Sequence, residues 1–259
     1  MKLKFLGTGT SQGVPVIGCR CRACTSENPK DRRFRASVMV TNDDQKILVD
    51  CGPDFRQQML INEEEKVDAV LITHEHNDHV IGLDDMRPLI FRYGRDIPIY
   101  CSKRVGDEIT ERFPYAFAEV KYPGAPSFEL FEIENKPFTI GNTEITPIEV
   151  SHYKLKIFGY KFKNLVYITD ASHISKAEKE KLKNLDCLIL NCIRKTEPHP
   201  AHFILPEVIE LFHELKPKKL YLTHLSHHFG TYSTEENKLP ENIHLAFDGL
   251  EIDLSLIHI

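Results

Sequence analysis

Six positions of this chain, His74-Glu-His76-Asn-Asp78-His79, set four metal-capable side chains directly behind an apolar run, Val70-Leu-Ile-Thr73. Residues Ala69 to Thr73 read as a buried strand. A strand that stops at a cluster of imidazoles and a carboxylate presents them at a sheet edge, where loops carry chemistry. Neutral imidazole and carboxylate oxygen suit zinc, manganese or iron. A histidine-rich surface loop is the plain alternative, but such a loop has no need of H-x-H-x-D-H spacing or of an apolar strand in front of it.

With 259 residues, 41% of them hydrophobic, the chain can bury a substantial core, and 1–259 reads as a single domain. No run approaches the roughly 18 consecutive apolar residues of a membrane span, so no membrane partner is expected. The N-terminus reads as an alternating Lys-Leu-Lys-Phe strand where a secretory apolar region would stand, and the expected location is the cytoplasm. That compartment keeps thiols reduced, and seven cysteines are an odd count, so a disulfide framework is not expected. A net charge of -5 gives no overall attraction to nucleic acid, which is disfavoured as a partner though a local basic patch is compatible with the chain. A homodimer is equally compatible.

Apolar runs at Leu3 to Leu6, Ser37 to Val40, Lys46 to Val49 and Ile97 to Tyr100 read as further strands in the first half, with a helical pattern at Val105 to Phe113. In the second half strands are expected at Phe128 to Ile133, Phe138 to Ile140, Ile145 to Val150, Phe158 to Phe162, Leu165 to Thr169, Leu188 to Leu190, Leu220 to Thr223 and Leu245 to Phe247. Lys176 to Leu185 and Pro206 to Leu215 have helical periodicity. Gly141-Asn142 looks like a hairpin turn, and Asn164 sits between two strands. Many strands in both halves, with helices between them, fit two packed sheets covered by helices.

Three of these strands lead into further metal-capable residues: His152, Asp170 and His224. A lone residue of this kind is as readily a cap or a surface group, but recurrence behind successive strands argues for delivery to one edge. Asp50 ends another strand and suits an acceptor for a ring N–H of a ligand, with a plain strand-end turn as the equal alternative. Cys19, Cys21 and Cys24 offer three thiolates within six residues, suited to one tetrahedral zinc; three free thiols in a loop are the alternative. Cys51, Cys101, Cys187 and Cys192 read as packed small hydrophobes. Gly7-Thr-Gly9-Thr10 lacks the third glycine of a phosphate loop and reads as a tight turn near the site floor. Arg32, Arg33 and Arg35 form a small basic group that suits an anionic substrate, with a solvated surface the plainer reading; His173, close behind Asp170, suits the site or the surface equally, and His199 lies with His202 in the loop before the helix near Pro206, with contact to substrate left open.

The H-x-H-x-D-H run resembles the signature of the metallo-β-lactamase superfamily, and so does the order of the other segments. Lys2-Leu-Lys-Phe-Leu-Gly-Thr-Gly-Thr10, Ile47-Leu-Val-Asp-Cys-Gly52, Ser151-His152, Ile168-Thr-Asp170, Leu222-Thr-His224 and Ala246-Phe-Asp-Gly-Leu250 follow that superfamily's sequence of motifs. Cys19-Arg-Cys21-Arg-Ala-Cys24 and Thr223-His-Leu-Ser-His227 are more narrowly similar to the PhnP-type cyclic phosphodiesterases. The resemblance implies an α/β fold, an αββα sandwich of two packed mixed β-sheets with flanking helices. It implies two divalent ions, zinc or manganese: His74, His76 and His152 on one, Asp78, His79 and His224 on the second, and Asp170 between them. It also implies one structural zinc on Cys19, Cys21, Cys24 and His227, with His228 a neighbouring competitor for the fourth place. His202 matches a histidine that reaches the phosphate and protonates a departing oxygen; helix capping is its plain reading.

The function implied is hydrolysis of a small or cyclic phosphodiester, like phosphoribosyl cyclic phosphate, by water activated between two metals, with Asp78 and His202 as catalytic residues. An RNA- or DNA-processing nuclease of the same superfamily is the runner-up; the sequence shows no basic or Gly/Pro-rich arm to grip RNA. A non-catalytic metal-dependent binding module is the reading from another class, and retention of every expected ligand speaks against it.

Overall fold

The structure, a computed structural model, describes residues 1–254. In chain order the elements are strands β1 (Lys2–Gly7), β2 (Ser37–Asn42) and β3 (Gln45–Val49), helix α1 (Phe55–Ile61), strand β4 (Ala69–Leu71), helices α2 (Asn77–Val80) and α3 (Arg87–Tyr93), strand β5 (Ile97–Cys101), and helices α4 (Lys103–Arg112) and α5 (Pro114–Phe117). There follow β6 (Phe128–Glu132), β7 (Phe138–Ile140), β8 (Thr143–His152), β9 (Leu155–Phe162), β10 (Leu165–Ile168), β11 (His173–Ile174), helix α6 (Lys176–Lys181), β12 (Cys187–Asn191), helix α7 (Leu205–Leu215), β13 (Lys219–Thr223), helix α8 (Tyr232–Glu235), β14 (Ile243–Leu245) and β15 (Glu251–Asp253).

The strands form two mixed sheets. The first runs β15-β1-β2-β3-β4-β5-β6, and the second β11-β8-β9-β10-β12-β13-β14, with β7 paired to β8. Successive strand side chains point to opposite faces, and both faces here are apolar. Val38, Val40, Ile47 and Val49 pack inward against Tyr160, Phe162, Tyr167 and Ile189 of the second sheet. Met39, Leu48 and Val70, one residue out of phase, pack outward against Phe55, Met59, Leu83, Val105 and Ile109. On the far side Val166, Ile168, Leu188 and Leu190 meet Leu182, Val208, Leu211 and Leu215 of the second helical layer. Each sheet is thus buried on both faces, which gives the four-layer αββα sandwich expected from the sequence.

Several local expectations are corrected. The helix after Ser175 stops at Lys181, with Asn184 left-handed at φ 57°, short of Leu185. The last strand of the second sheet is Ile243–Leu245, so Phe247 lies outside it. Residues 8–10 form no tight turn: Gly9 bridges Arg35 on one side and Leu225 on the other, in extended backbone, and the turn comes after it, where Gly13 N–H donates to the Thr10 carbonyl. Arg33 is not a solvated surface group. It is buried, and Nη1 donates to Thr8 Oγ1 (2.7 Å) and to the Ala246 carbonyl (2.6 Å). These bonds, with Thr8 Oγ1 and Phe34 N–H both donating to Asp248, fasten the first loop to the C-terminal segment.

Candidate metal centre

Five chain segments converge at one edge between the sheets because the strands that precede them end there. Asp50 follows β3, His74 follows β4 by three residues, His152 is the last residue of β8, Asp170 follows β10 and His224 follows β13. The C-terminal ends of parallel strands are where open α/β sheets bind ligands. Asp50, Asp170 and His224 are each left-handed, at φ 63°, 59° and 53°. Non-glycine residues adopt that conformation at a cost, and such positions cluster at functional sites. Each turns the chain sharply as it leaves its sheet. Gly52 lets the H-x-H-x-D-H loop lie against the end of β3: a Cβ there would stand 2.1 Å from the Asp78 carbonyl.

The side chains fall into overlapping groups whose ligand atoms lie within 4.8 Å of one another: His74, His76 and His152; Asp78, His79 and His224; and His74, His79 and Asp170. His74 Nε2 stands 3.0 Å from His76 Nδ1. Asp170 Oδ1 is 3.1 Å from His224 Nε2 and its Oδ2 3.4 Å from His79 Nε2, while Asp78 Oδ2 is 3.2 Å from the same His79 nitrogen; Asp170 also clusters with His74, and so stands between the two groups.

Hydrogen bonds orient the rings. Asp50, fully buried, accepts from Thr73 N–H, Thr73 Oγ1–H and His79 Nδ1, the last at 2.7 Å. The Thr73 hydroxyl, committed to Asp50 as donor, accepts from His74 Nδ1 at 2.9 Å. His152 Nδ1 donates to the Ala201 carbonyl at 2.9 Å. One carboxylate, one hydroxyl and one carbonyl therefore take the Nδ1 atoms and turn Nε2 of His79, His74 and His152 into the cluster, the arrangement a metal-ligating histidine needs.

The electrostatics ask for a cation. Burial alone would raise the Asp170 carboxyl, but His224 and His79 outweigh it and hold it well below the usual carboxylate range. Burial would lower His79, yet Asp78, Asp50 and Asp170 around it hold the imidazole well above its ordinary value. Among the described residues His79 Nε2 and both ring nitrogens of His224 are buried without a hydrogen-bond partner. Unpaired buried nitrogens facing carboxylates fit divalent ions such as zinc or manganese.

His202 stands at the same cluster. Its ring lies 4.8 Å from those of His152, His199 and His224, and Nδ1, buried and unpaired among the described residues, is 3.8 Å from Asp170 Oδ1. Burial, then the neighbouring His224, pushes this imidazole down to about 2, so it is neutral in the metal-free chain. Its helix-capping alternative is not what the structure shows, because the residue before α7 is Ile204, whose N–H donates to the Glu207 carboxylate. His202 and His224 line a cavity of about 270 Å³ with Thr10, His199, Ser226 and His228. A larger groove of about 580 Å³, lined by Met59, Leu60, Pro88 and Arg92 among others, contains none of these histidines. His173 is exposed on β11, Arg32 is exposed, and Arg35 pairs with Asp54 at 3.0 Å.

A second group lies beside the first. His227 Nδ1 is 3.2 Å from Cys19 Sγ and 3.5 Å from Cys21 Sγ and Cys24 Sγ, and these atoms fall within one metal-sized cluster. His228 is not in that cluster; its ring packs on His227 at 4.0 Å. Val16 N–H also donates to Cys24 Sγ, and burial pushes the Cys24 thiol up to about 11. Three thiols and an imidazole suit one closed tetrahedral zinc, and they would join the 19–24 loop to the turn after His224. Cys21→Ser is expected to remove one thiolate-ligated metal equivalent and to expose the 19–24 loop to proteolysis, with the histidine cluster still loaded. Elemental analysis of the purified variant checks this, and loss of metal from the histidine cluster instead would contradict two separate sites.

Sequence reading missed Thr73, which relays Asp50 to His74, and Arg104 and Arg112 of α4, which bond to Glu75. Thr73 was legible only as the end of an apolar strand, and the arginines only as the polar face of an amphipathic helix.

Two mixed sheets with flanking helices, and an imidazole and carboxylate cluster at the shared edge, make up a metallo-β-lactamase fold. Residues 45–225 match the β-lactamase superfamily domain, and the chain belongs to that superfamily. A crystal structure of a diphosphatase from the PhnP family superposes with a TM-score of 0.91 at 38% identity, covering 98% of this chain and 97% of that one. An octanoyltransferase of Porphyromonas gingivalis is 39% identical over 97% of this chain and 51% of its own length. A ribonuclease Z of Clostridioides difficile is 29% identical over 57% of this chain and 49% of its own length. The chain thus spans about half the length of these two curated relatives.

Proposed function

We propose that this chain is a metal-dependent phosphodiesterase acting on a compact phosphodiester. The observation that carries the reading is the seven-donor cluster, shared by both sheets and opening beside His202 on a cavity of about 270 Å³. His74, His76 and His152 would hold one divalent ion, Asp78, His79 and His224 a second, and Asp170 would face both. When bound, such a pair activates water and neutralises charge on the attacking and leaving oxygens of a phosphoryl group. Asp50 and Thr73 fix the rings of His79 and His74. Asp78, more exposed than Asp170, would orient the attacking water. His202 lines the cavity with its unpaired Nδ1 3.8 Å from Asp170 Oδ1, and would meet the phosphoryl oxygens there.

The diphosphatase relative favours a second reading, a P–O–P linkage in place of a phosphodiester. Both are disubstituted phosphoryl groups; they differ in whether the departing oxygen needs a proton. The acyl-transfer name of the Porphyromonas relative belongs to a protein about twice as long as the matched segment, and it assigns no chemistry to this half.

The ribonuclease Z relative keeps a nuclease in play, and salt separates it from a small-substrate enzyme. Binding that neutralises backbone phosphates weakens with a logarithmic slope of about -0.9 per contact on duplex DNA and about -0.7 on single strands. For this chain KM on a compact diester is expected to change little between low and moderate salt. Steady-state rates across salt on cyclic phosphodiesters, diphosphate esters and structured RNA check it. Far more efficient cleavage of RNA, with a steep salt slope in KM, would replace the phosphodiesterase reading with the nuclease.

A further inference from the structure

The residue between the first two histidines, Glu75, is gripped from outside the cluster. Arg112 Nη1 donates to the Glu75 carbonyl at 2.6 Å. Arg104 Nη1 pairs with the Glu75 carboxylate at Oε1, and its Nη2 donates to the Lys156 carbonyl at 2.7 Å. Both arginines stand on α4, which carries none of the donors of the cluster.

Lys156 belongs to β9, and the β8–β9 register pairs Ser151 with Lys156 and His152 with Leu155. One guanidinium therefore touches two segments at once: the loop that carries His74 and His76, and the hairpin that carries His152. These histidines come from opposite sheets, and their ring centroids lie 5.4 Å (His74–His152) and 5.1 Å (His76–His152) apart. Deeper in, the same seam is closed by Phe158 N–H donating to the Thr73 carbonyl and Tyr160 Oη to the Ile72 carbonyl. Nearer the surface Arg104 is the link.

An ordinary surface ion pair contributes little. This one differs in two respects. Its second bond goes to backbone across the sheet boundary, and the other Glu75 oxygen, Oε2, is buried without a hydrogen-bond partner among the described residues. Loss of Arg104 would leave a half-buried carboxylate, one of whose oxygens already lacks a partner among the described residues, without its cation, which costs more than the pair contributes.

We propose that Arg104 and Arg112 are positioning residues that hold His74 and His76 in register with His152, and so set the affinity of this three-histidine group for a divalent cation. The proposal rests on the metal-dependent reading above. Partners that orient metal ligands from outside alter affinity by roughly 10- to 100-fold when removed. Arg104→Lys restores part of the loss, because an ammonium is a point donor and cannot span both acceptors as a planar fork does.

The test is a titration of the metal-free full chain with Co²⁺. The near-ultraviolet thiolate band and the long-wavelength visible bands that accompany it report the cysteine cluster, and the visible absorption that remains once these are subtracted reports the nitrogen and oxygen site. Arg104→Ala is expected to weaken the visible-band site at least tenfold and leave the thiolate band unchanged, with Arg112→Ala in the same direction. Arg92→Ala, which breaks an exposed pair with Glu65, is expected to match the wild type. Visible-site affinity within twofold of wild type in folded Arg104→Ala would overturn the proposal, as would an equal loss at both sites with a lower melting temperature. If Arg104→Ala does not fold, Arg104→Lys and Arg112→Lys are read by the same criteria. Wild-type protein that takes up no cobalt at the histidine cluster would overturn the metal-dependent reading and the clamp together, whereas wild-type binding with unaffected variants overturns the clamp alone.

Discussion

Asp170→Asn is expected to lower kcat/KM on a phosphodiester by on the order of 10³ or more, through loss of several kcal/mol of charge stabilisation at about 1.36 kcal/mol per tenfold. The reason is position. Asp170 is the carboxylate that reaches both groups: its oxygens lie against His224 and His79, with Thr169 Oγ1 donating to the second at 2.6 Å, and it clusters with His74 as well. An amide keeps the size but carries no charge and presents an N–H where one oxygen stood. Asp78→Asn touches only the group it forms with His79 and His224, so it is expected to reduce occupancy there and leave the His74, His76 and His152 group loaded. Elemental analysis beside steady-state kinetics separates the two variants. Asp170→Asn protein with full metal content and more than about a tenth of wild-type turnover would remove Asp170 from the shared position.

Much of this site was legible because its candidate ligands follow strands, and strands announce themselves by apolar alternation. The run Ala69 to Thr73 leads into His74, although its strand already stops at Leu71, and Leu220 to Thr223 ends at His224 as the structure has it. What sequence could not supply is contact between distant segments. Arg33 reads as surface because no neighbour in sequence would bury a guanidinium; Thr8, Ala246 and Asp248, which surround it, come from the two ends of the chain. Residues 8–10 read as a tight turn because two glycines flank a threonine, but bridges from Gly9 to Arg35 and Leu225 keep the backbone extended. Helices α1 and α3 were overlooked for a different reason. Each is seven residues long, too short for a periodic pattern to stand out, and their apolar residues, such as Phe55, Met59 and Ile90, are explained by packing on the first sheet. The choice of His227 over His228 lies between these cases: spacing offered both, and the fold turns one ring toward the three thiols.

His202→Ala is expected to separate substrates by their leaving groups. A poor alkoxide departs with a proton, whereas a nitrophenolate departs without one, and general acid catalysis contributes roughly 10² to 10⁴ in rate. The imidazole is neutral in the metal-free chain, since burial pushes it down to about 2. A proton-donating role therefore requires that it gain its proton as an anionic phosphoryl group arrives beside it. On that account the variant loses turnover steeply on an alkyl or ribosyl diester, much less on an activated aryl diester, and little on a P–O–P substrate whose leaving group is itself a phosphate. Equal losses on all three would make His202 a hydrogen-bond donor that positions phosphate. The geometry also allows a third outcome, because His202, His152 and Asp170 place their ligand atoms within 4.8 Å of one another. A metal equivalent lost from His202→Ala would identify this residue as a ligand, and unchanged turnover on every substrate would remove it from the chemistry altogether.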